Sequence, residues 1–278
     1  MATESSQLNQ IDVLDRINAM RMQEEKTKRC KNYLTSTIGS SYRKAMVDWL
    51  FIVVDTFGLS RETVSIAMSI LDRYLSSGEG RSSEALENKQ KFQLATITSF
   101  YMAVKIHEPV QLGIDLLVKI CRGFCSRSAI MASEQDILKS LEWRVCLSST
   151  TPMEYVRQFL ELLPELEDID DVIQANAMTY MDYATADLVF STCRGSAVGL
   201  ACLAGAFGES YVQKEGLWQK LSKILDFDIE SNEIRRVEKY LLAKSTSRQS
   251  RRKSRKSLPR SSFKYQQPSS SPVSVSQM

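Results

Sequence analysis

Six charged side chains interrupt apolar stretches of the sequence and require an explanation. They are Arg43, Asp48, Asp72, Arg73, Lys105 and Glu134. A charge on an apolar helix costs free energy unless an opposite charge or a binding partner compensates it. We therefore expect these residues to be paired, to face a partner or, taken one at a time, to lie on the solvent side of their helices.

Motifs for catalysis are missing from the sequence. It contains no GxxxxGK[ST] phosphate loop, no GxGxxG after a strand, no HExxH and no GxSxG. His107 is the only histidine, and no partner motif lies near it, so a Ser-His or Cys-His enzyme would depend on that one residue. The sequence therefore predicts a protein that is not an enzyme.

Metal and cofactor binding is not predicted either. The cysteines form no CxxC pair, and one histidine cannot build a His-based metal cluster. The acidic run 165–171 lacks EF-hand spacing and a turn glycine, which indicates a solvated loop. Six cysteines are expected to be reduced and mostly buried: Cys30, Cys121, Cys125, Cys146, Cys193 and Cys202.

The chain is predicted to be intracellular and not to cross a membrane. No stretch reaches the roughly 18 consecutive apolar residues that a spanning helix needs. The first 26 residues lack the basic-then-apolar pattern of a secretory signal.

The end of the chain differs in composition from the rest. Residues 245–278 contain eight basic and no acidic residues, which leaves 28 basic against 33 acidic residues, a net charge of −5, for residues 1–244. This Ser- and Pro-rich tail is predicted to be disordered. Its run 251–256 favours a nuclear import signal, recognised by an import receptor, over a nucleic-acid contact or a solvated end. Candidate phosphorylation sites in the tail are Ser254, Ser257 and Ser271.

Helical periodicity accounts for nearly all of the remaining chain. The clearest local signal is Thr151-Pro152-Met153-Glu154, in which a threonine cap precedes a proline at the first helical position and a glutamate at the third. Residues 76–90 are polar and predict a long solvated loop. Predicted helices cover residues 8–33, 42–57, 60–75, 91–107, 112–122, 128–143, 152–163, 169–187, 191–207, 215–225 and 230–243.

The predicted fold class is all-α, with two blocks of about five helices that divide near residues 147–151. In the first helix, Leu8, Ile11, Leu14 and Ile17 follow a threefold spacing among many charges, which predicts a peripheral helix.

Three segments resemble the cyclin box of cell-cycle cyclins. Residues 42–50 resemble its opening motif M-R-x-I-L-V-D-W-L, and residues 71–77 its I-D-R-[FY]-L-S segment. Residues 92–105 are similar to its L-Q-L…A-S-K helix. The resemblance covers about residues 40–244 and is clearest in the first half.

The resemblance implies a domain organisation. Two consecutive five-helix cyclin-box folds would occupy residues 39–147 and 148–244. An N-terminal helix and lead-in would occupy residues 1–38, and the disordered basic tail residues 245–278.

The resemblance also implies structural roles in the first box. Arg43 and Asp72, 29 residues apart, are expected to form a buried, charge-assisted pair between the first two helices. Leu94 and Trp49 are expected to belong to the core of the box.

Lys105 and Glu134 are implied to contact a partner kinase. They would hydrogen-bond around the regulatory helix of a cyclin-dependent Ser/Thr kinase and hold it in its active position. The chain would then be a regulatory subunit in cell-cycle control. The alternative is a cyclin-fold adaptor in transcription or nucleic-acid binding. The net negative charge of residues 1–244 argues against nucleic-acid binding by this part of the chain.

The resemblance further implies a candidate patch for docking kinase substrates or inhibitors, around the first and third helices of the box. Its residues would be Tyr42, Met46, Trp49, Phe92 and Gln93. Trp49 and Gln93 match the family's residues, whereas Tyr42 departs from the usual Met.

Overall fold

The described part of the chain is built from helices. The computed structural model describes residues 2–27, 29–110, 112–145, 151–163, 170–207, 219, 221 and 234–243, and these contain no strand, in agreement with the predicted all-α class. The helices are α1 (Ala2–Lys26), α2 (Ser40–Phe57), α3 (Glu62–Ser77), α4 (Ser82–Glu87), α5 (Lys89–His107), α6 (Ile114–Ile120), α7 (Arg127–Ser140), α8 (Pro152–Glu161), α9 (Asp170–Ala186), α10 (Leu188–Ser191) and α11 (Gly195–Ala206). Residues 234–243 are also helical.

The chain divides into two compact units. The described residues of the core unit lie within Cys30–Cys146 and Thr185–Thr192, and those of the terminal unit within Met1–Arg29, Leu147–Ala184 and Cys193–Ser250. This division differs from the predicted boundaries in two respects, because α1 groups with the second half of the chain and residues 185–192 group with the first.

Helix α5 lies at the centre of the core unit. It packs against α3, α4 and α7, and apolar side chains along its length are buried, including Phe92, Ile97 and Phe100. Its first turn is capped by the Asn88 side chain, which accepts hydrogen bonds from the backbone N–H groups of Gln90 and Lys91 at 2.8 and 3.2 Å. This burial explains why the α5 sequence is apolar on several faces.

The segment 76–90 is not simply the solvated loop expected from its composition. It contains α4, in which Ser82 and Ala85 are buried. Asp136 of α7 holds the segment in place, because its Oδ2 accepts hydrogen bonds from the Tyr74 hydroxyl at 2.6 Å and from the Arg81 backbone N–H at 3.0 Å. These tertiary contacts fold a segment whose own residues are mostly polar.

In the terminal unit, α8 begins as its sequence predicts. Thr151 Oγ1 accepts a hydrogen bond from the Glu154 backbone N–H at 3.1 Å, and Pro152 occupies the first turn. Helix α11 packs closely against α8 at Gly199, where an added Cβ would lie 2.6 Å from the backbone oxygen of Pro152. The absence of a side chain at Gly199 therefore permits this close approach of the two helices.

Helix α1 packs on α8. Val13, Ile17 and Met20 are buried, whereas Ile11 is 54% exposed. Of the apolar residues at threefold spacing, Ile17 is thus buried and Ile11 is not, because the buried positions are spaced by four and three. Arg16 also donates from Nε to Gln158 Oε1 at 2.8 Å and pairs with Glu161.

Several predictions fall outside the described residues. These include the disordered tail, with Ser254, Ser257, Ser271 and the basic run 251–256. The same holds for most of the predicted helices 215–225 and the start of 230–243. The second five-helix box therefore stays a prediction.

Candidate functional site

Arg43 and Asp72 form a buried ion pair in the core unit. Arg43 Nη2 lies 2.7 Å from Asp72 Oδ2, and the two side chains are 1% and 0% exposed. Tyr33 donates its hydroxyl to Asp72 Oδ1 at 2.6 Å and accepts a hydrogen bond from Arg43 Nε at 3.1 Å. Arg43 Nη1 donates to the Thr185 backbone oxygen at 2.7 Å, and Ser191 donates its hydroxyl to Asp72 Oδ2. The pair is therefore surrounded by polar partners, as a buried charge requires.

Arg43 keeps its charge across the ordinary pH range. Burial opposes the charge on Arg43, but attraction to Asp72 and the contact with Tyr33 more than offset it, so the pKa of Arg43 is raised. Burial, followed by the nearby Asp72 carboxylate, raises the pKa of Tyr33 well above its ordinary value. Tyr33 consequently stays neutral and remains a hydrogen-bond donor.

Three members of this network were not identified from the sequence. Tyr33, Thr185 and Ser191 lie between 10 and 142 residues from their partners in the chain. Local spacing carries no signal for such distant contacts.

Lys105 and Glu134 meet at the surface of the core unit. Lys105 Nζ forms an ion pair with Glu134 Oε1, and the two side chains are 40% and 17% exposed. The ammonium group also lies 4.8 Å from the centre of the Tyr101 ring, a cation–π distance. Unlike Arg43 and Asp72, this pair is open to solvent and to a binding partner.

Both helices that carry this pair, α5 and α7, are held in place by hydrogen bonds with neighbouring segments. At the end of α5, Glu108 Oε1 accepts hydrogen bonds from the Ser60 backbone N–H at 2.9 Å and from the Thr63 hydroxyl. Helix α7 packs against α5, and its Asp136 accepts hydrogen bonds from the Tyr74 hydroxyl and the Arg81 backbone N–H. Both charged side chains thus lie on helices that are held by neighbouring segments.

Exposed apolar side chains lie on the same two helices and beyond them. Ile106 follows Lys105, and Met131 precedes Glu134 by nearly one helical turn; both are exposed. Trp143, just after α7, is 71% exposed and has a φ of 62°. Ile106 and Met131 were not identified from the sequence, although an apolar residue beside a charged one is a usable signal.

Comparison with known sequences identifies a family that this chain resembles. A family model described as "Cyclin, N-terminal domain" matches residues 15–146, which include Arg43, Asp72, Lys105 and Glu134. The chain is similar to members of the cyclin family.

Relatives include several named cyclins. The chain is 29% identical over 202 residues to the G2/mitotic-specific cyclin C13-1 of Daucus carota, covering 68% of this chain and 55% of the relative. It is 25% identical over 166 residues to the human G1/S-specific cyclin-D1, covering 60% and 53%. It is 32% identical over 139 residues to the G2/mitotic-specific cyclin-B3 of Canis lupus familiaris, covering 49% and 10%. The chain thus spans about half the length, or less, of these curated relatives.

A solved structure shares the fold. The crystal structure of a viral cyclin from herpesvirus saimiri matches with a TM-score of 0.64 and 15% identity, covering 82% of this chain and 96% of that chain. The helical architecture described above is therefore a cyclin fold.

The predicted docking patch is not an exposed surface in this protein. All five of its residues are buried: Tyr42, Met46, Trp49, Phe92 and Gln93. The Tyr42 and Phe92 rings lie 5.8 Å apart, and the Tyr42 hydroxyl donates to the Lys89 backbone oxygen at 3.3 Å. The two rings pack against each other inside the core unit, and Ile52 is the large apolar side chain of α2 that is more than half exposed.

The two residues predicted for the core of the box differ in burial. Trp49 is buried, but Leu94 is only partly buried and packs against the edge of the hydrophobic cluster. Leu94 faces the rim because its neighbours Gln93 and Ala95 occupy the buried side of α5.

The remaining chemistry predictions concern metals, thiols and membranes. Within the described ranges, no group of three or more His, Cys, Asp or Glu side chains is placed to hold a metal ion. The five described cysteines are free thiols. None of the helices searched among the described residues has the length and apolar character needed to cross a bilayer.

Proposed function

We propose that this protein is the regulatory subunit of a cyclin-dependent Ser/Thr protein kinase, which it binds and activates in cell-cycle control. Catalysis and ATP binding then belong to the kinase, and the chain itself is not an enzyme. The observation that carries the proposal is the solvent-facing Lys105–Glu134 pair on anchored helices. The names of the relatives, specific to G1/S or to G2/mitosis, support the cell-cycle role.

The pair has hydrogen-bonding capacity beyond its own contact. An ammonium group has three N–H donors, and a carboxylate has two acceptor oxygens. After pairing, Lys105 can still donate to backbone carbonyls of a kinase segment, and Glu134 can accept from its N–H groups. The exposed Ile106, Met131 and Trp143 add apolar area that a partner helix would cover.

Activation follows from selective binding of one kinase conformation. A protein kinase is active when a glutamate of its regulatory helix pairs with the phosphate-binding lysine. A subunit that contacts this helix only in its inward position shifts the population towards that position. Reversing a 1:99 equilibrium requires a preference of about 5.5 kcal/mol. Because α5 and α7 are anchored before binding, little of the binding free energy is lost to ordering them.

The test is a binding and activation assay with matched surface variants. Full-length protein is used to capture a cyclin-dependent kinase and to stimulate it on a peptide substrate. Lys105→Glu and Glu134→Ala are expected to weaken capture by about 30-fold or more, the effect of losing a buried interfacial charge. Lys91→Glu and Glu84→Ala alter another ion pair, with side chains 52% and 48% exposed, and should leave capture unchanged.

Two results would contradict the proposal. One is normal capture and stimulation by Lys105→Glu and Glu134→Ala. The other is salt-dependent binding of DNA by the protein with its basic tail removed, which would favour the adaptor alternative.

We further propose that the basic tail directs the protein to the nucleus by binding an import receptor. The run 251–256 carries five basic residues among its six, and phosphorylation of Ser254 or Ser257 would reduce that local charge. Replacing the five basic residues with alanine should move a fluorescent fusion from nucleus to cytoplasm. Unchanged nuclear accumulation would contradict this role.

A further inference from the structure

The turn between α6 and α7 brings two cysteines together inside the core unit. Cys121 directly follows α6, and Cys125 precedes Ser126, the N-cap of α7. Both are free thiols, and both are buried in the hydrophobic cluster of the core unit. From the sequence they were expected to be ordinary buried thiols, because their spacing is not CxxC.

The backbone of the turn folds back so that the thiols meet. Arg122 and Gly123 have φ angles of +49° and +77°, in the left-handed region that closes a tight turn after a helix. The Phe124 backbone N–H donates to the Cys121 oxygen at 2.9 Å. With the chain turned in this way, the Cys121 and Cys125 thiols share a hydrogen bond.

The shared hydrogen bond makes the two sulfurs chemically unequal. Hydrogen bonding to Cys125, followed by burial, raises the pKa of the Cys121 thiol. The same hydrogen bond lowers the pKa of Cys125, although burial opposes this. Because the thiolate is the nucleophile, Cys125 is the sulfur that reacts first and Cys121 is the one that follows.

We propose that Cys121 and Cys125 form a redox modification site that closes to an intramolecular disulfide on exposure to hydrogen peroxide. The Cys125 thiolate attacks one peroxide oxygen, which forms a sulfenic acid and releases hydroxide. The Cys121 sulfur then attacks the Cys125 sulfur, and the sulfenic oxygen leaves as water with the Cys121 proton. In total, two thiols and one peroxide give one disulfide and two waters.

The exposure of the turn and its position between α6 and α7 support this assignment. Arg122, Gly123 and Ser126 are exposed, so local opening of the five-residue turn is enough to admit a molecule as small as peroxide. The disulfide would link the end of α6 covalently to the start of α7, the helix that also carries Glu134. The site itself depends on the two thiols and not on the proposed kinase contact.

Trypsin cleaves between the two cysteines, which makes the bond directly visible. Cleavage after Lys119, Arg122 and Arg127 releases residues 120–122 and 123–127, each with one cysteine. Full-length protein is treated with hydrogen peroxide, free thiols are blocked, and the non-reduced digest is analysed by mass spectrometry. We expect the two peptides to be joined, at the sum of their masses less two hydrogens, and to separate on reduction.

One variant and one internal control distinguish a specific Cys121–Cys125 disulfide from general oxidation of thiols. Cys121→Ser should remove the linked peptide and leave Cys125 as a sulfenic acid that dimedone traps. Cys202 is equally buried and should oxidise far more slowly, because burial without a thiol partner raises its pKa. The proposal is wrong if wild-type protein yields both peptides separately blocked, if Cys125 pairs with another cysteine, or if Cys202 oxidises as readily.

Discussion

The guanidinium of Arg43 lies 2.7 Å from the carboxylate of Asp72, and neither side chain is more than 1% exposed. This pair joins α2 to α3 and, through the Thr185 backbone oxygen, reaches residues distant in sequence. Because water cannot replace either partner, the loss of one charge leaves the other buried and uncompensated.

Removing one member of this pair should destabilise the core unit strongly. Asp72→Leu or Arg43→Met is expected to lower the free energy of unfolding by about 3–5 kcal/mol, measured by urea denaturation at neutral pH. The double variant Arg43→Met/Asp72→Leu should cost clearly less than the sum of the two single changes, since no lone charge then remains. Additive costs would show that the pair is not coupled.

Asp136 should control the order of the segment that contains α4. Asp136→Ala removes the acceptor for the Tyr74 hydroxyl and the Arg81 N–H, and should cost about 1–3 kcal/mol. Hydrogen exchange at the Arg81 amide should accelerate in this variant. Asp136→Asn, which retains one carbonyl oxygen, is the control and should show a smaller effect. Unchanged exchange in the alanine variant would contradict this role.

A methyl group at Gly199 should disturb the terminal unit. Its added Cβ would lie 2.6 Å from the Pro152 backbone oxygen, which cannot move as a flexible side chain does. Gly199→Ala is expected to cost about 1–3 kcal/mol, typical of overpacking. Gly39→Ala is the matched control, because nothing lies within 4 Å of its added Cβ. Equal thermal stability of the two variants would show that α8 and α11 do not pack this closely.

His107 should titrate below its ordinary pKa. Partial burial lowers the pKa of this imidazole, although Glu62 and Glu108 oppose the shift. As the pH falls, His107 is therefore protonated in the unfolded chain at a higher pH than in the folded protein. The contribution of His107 to the free energy of unfolding is present above about pH 6.5 and is lost as the pH falls below it. Because the protein has one histidine, a one-dimensional NMR titration reports it without assignment. A smaller acid-induced loss of stability in His107→Gln would confirm the sign; an equal loss would contradict it.

The sequence was most informative where the chemistry is local. The threonine cap at Thr151 and the proline at 152 predicted the start of α8 because they act within one helical turn. The pair of Arg43 and Asp72 was predicted only through resemblance to a family. Its other partners, Tyr33 and Ser191, were not found, since their contacts depend on how distant segments pack.

Burial was harder to predict than helix positions. The five residues of the expected docking patch lie on the predicted helices but are buried, four of them within the hydrophobic cluster of the core unit. Likewise, α1 is a helix as expected but buries Val13 and Met20 instead of Ile11. Which face a helix buries is decided by its neighbours, and a single amphipathic pattern leaves that choice open.

Lys105 and Glu134 are proposed to contact a kinase, in addition to forming an ion pair between α5 and α7. The double variant Lys105→Glu/Glu134→Lys restores an ion pair while reversing both charges presented to a partner. We therefore compare this variant with the wild type in thermal stability and in stimulation of a purified cyclin-dependent kinase. We expect the variant to be as stable as the wild type but to stimulate the kinase at least about 30-fold more weakly, because interfacial charge contacts are lost. Equal stimulation by the charge-reversed protein would contradict it.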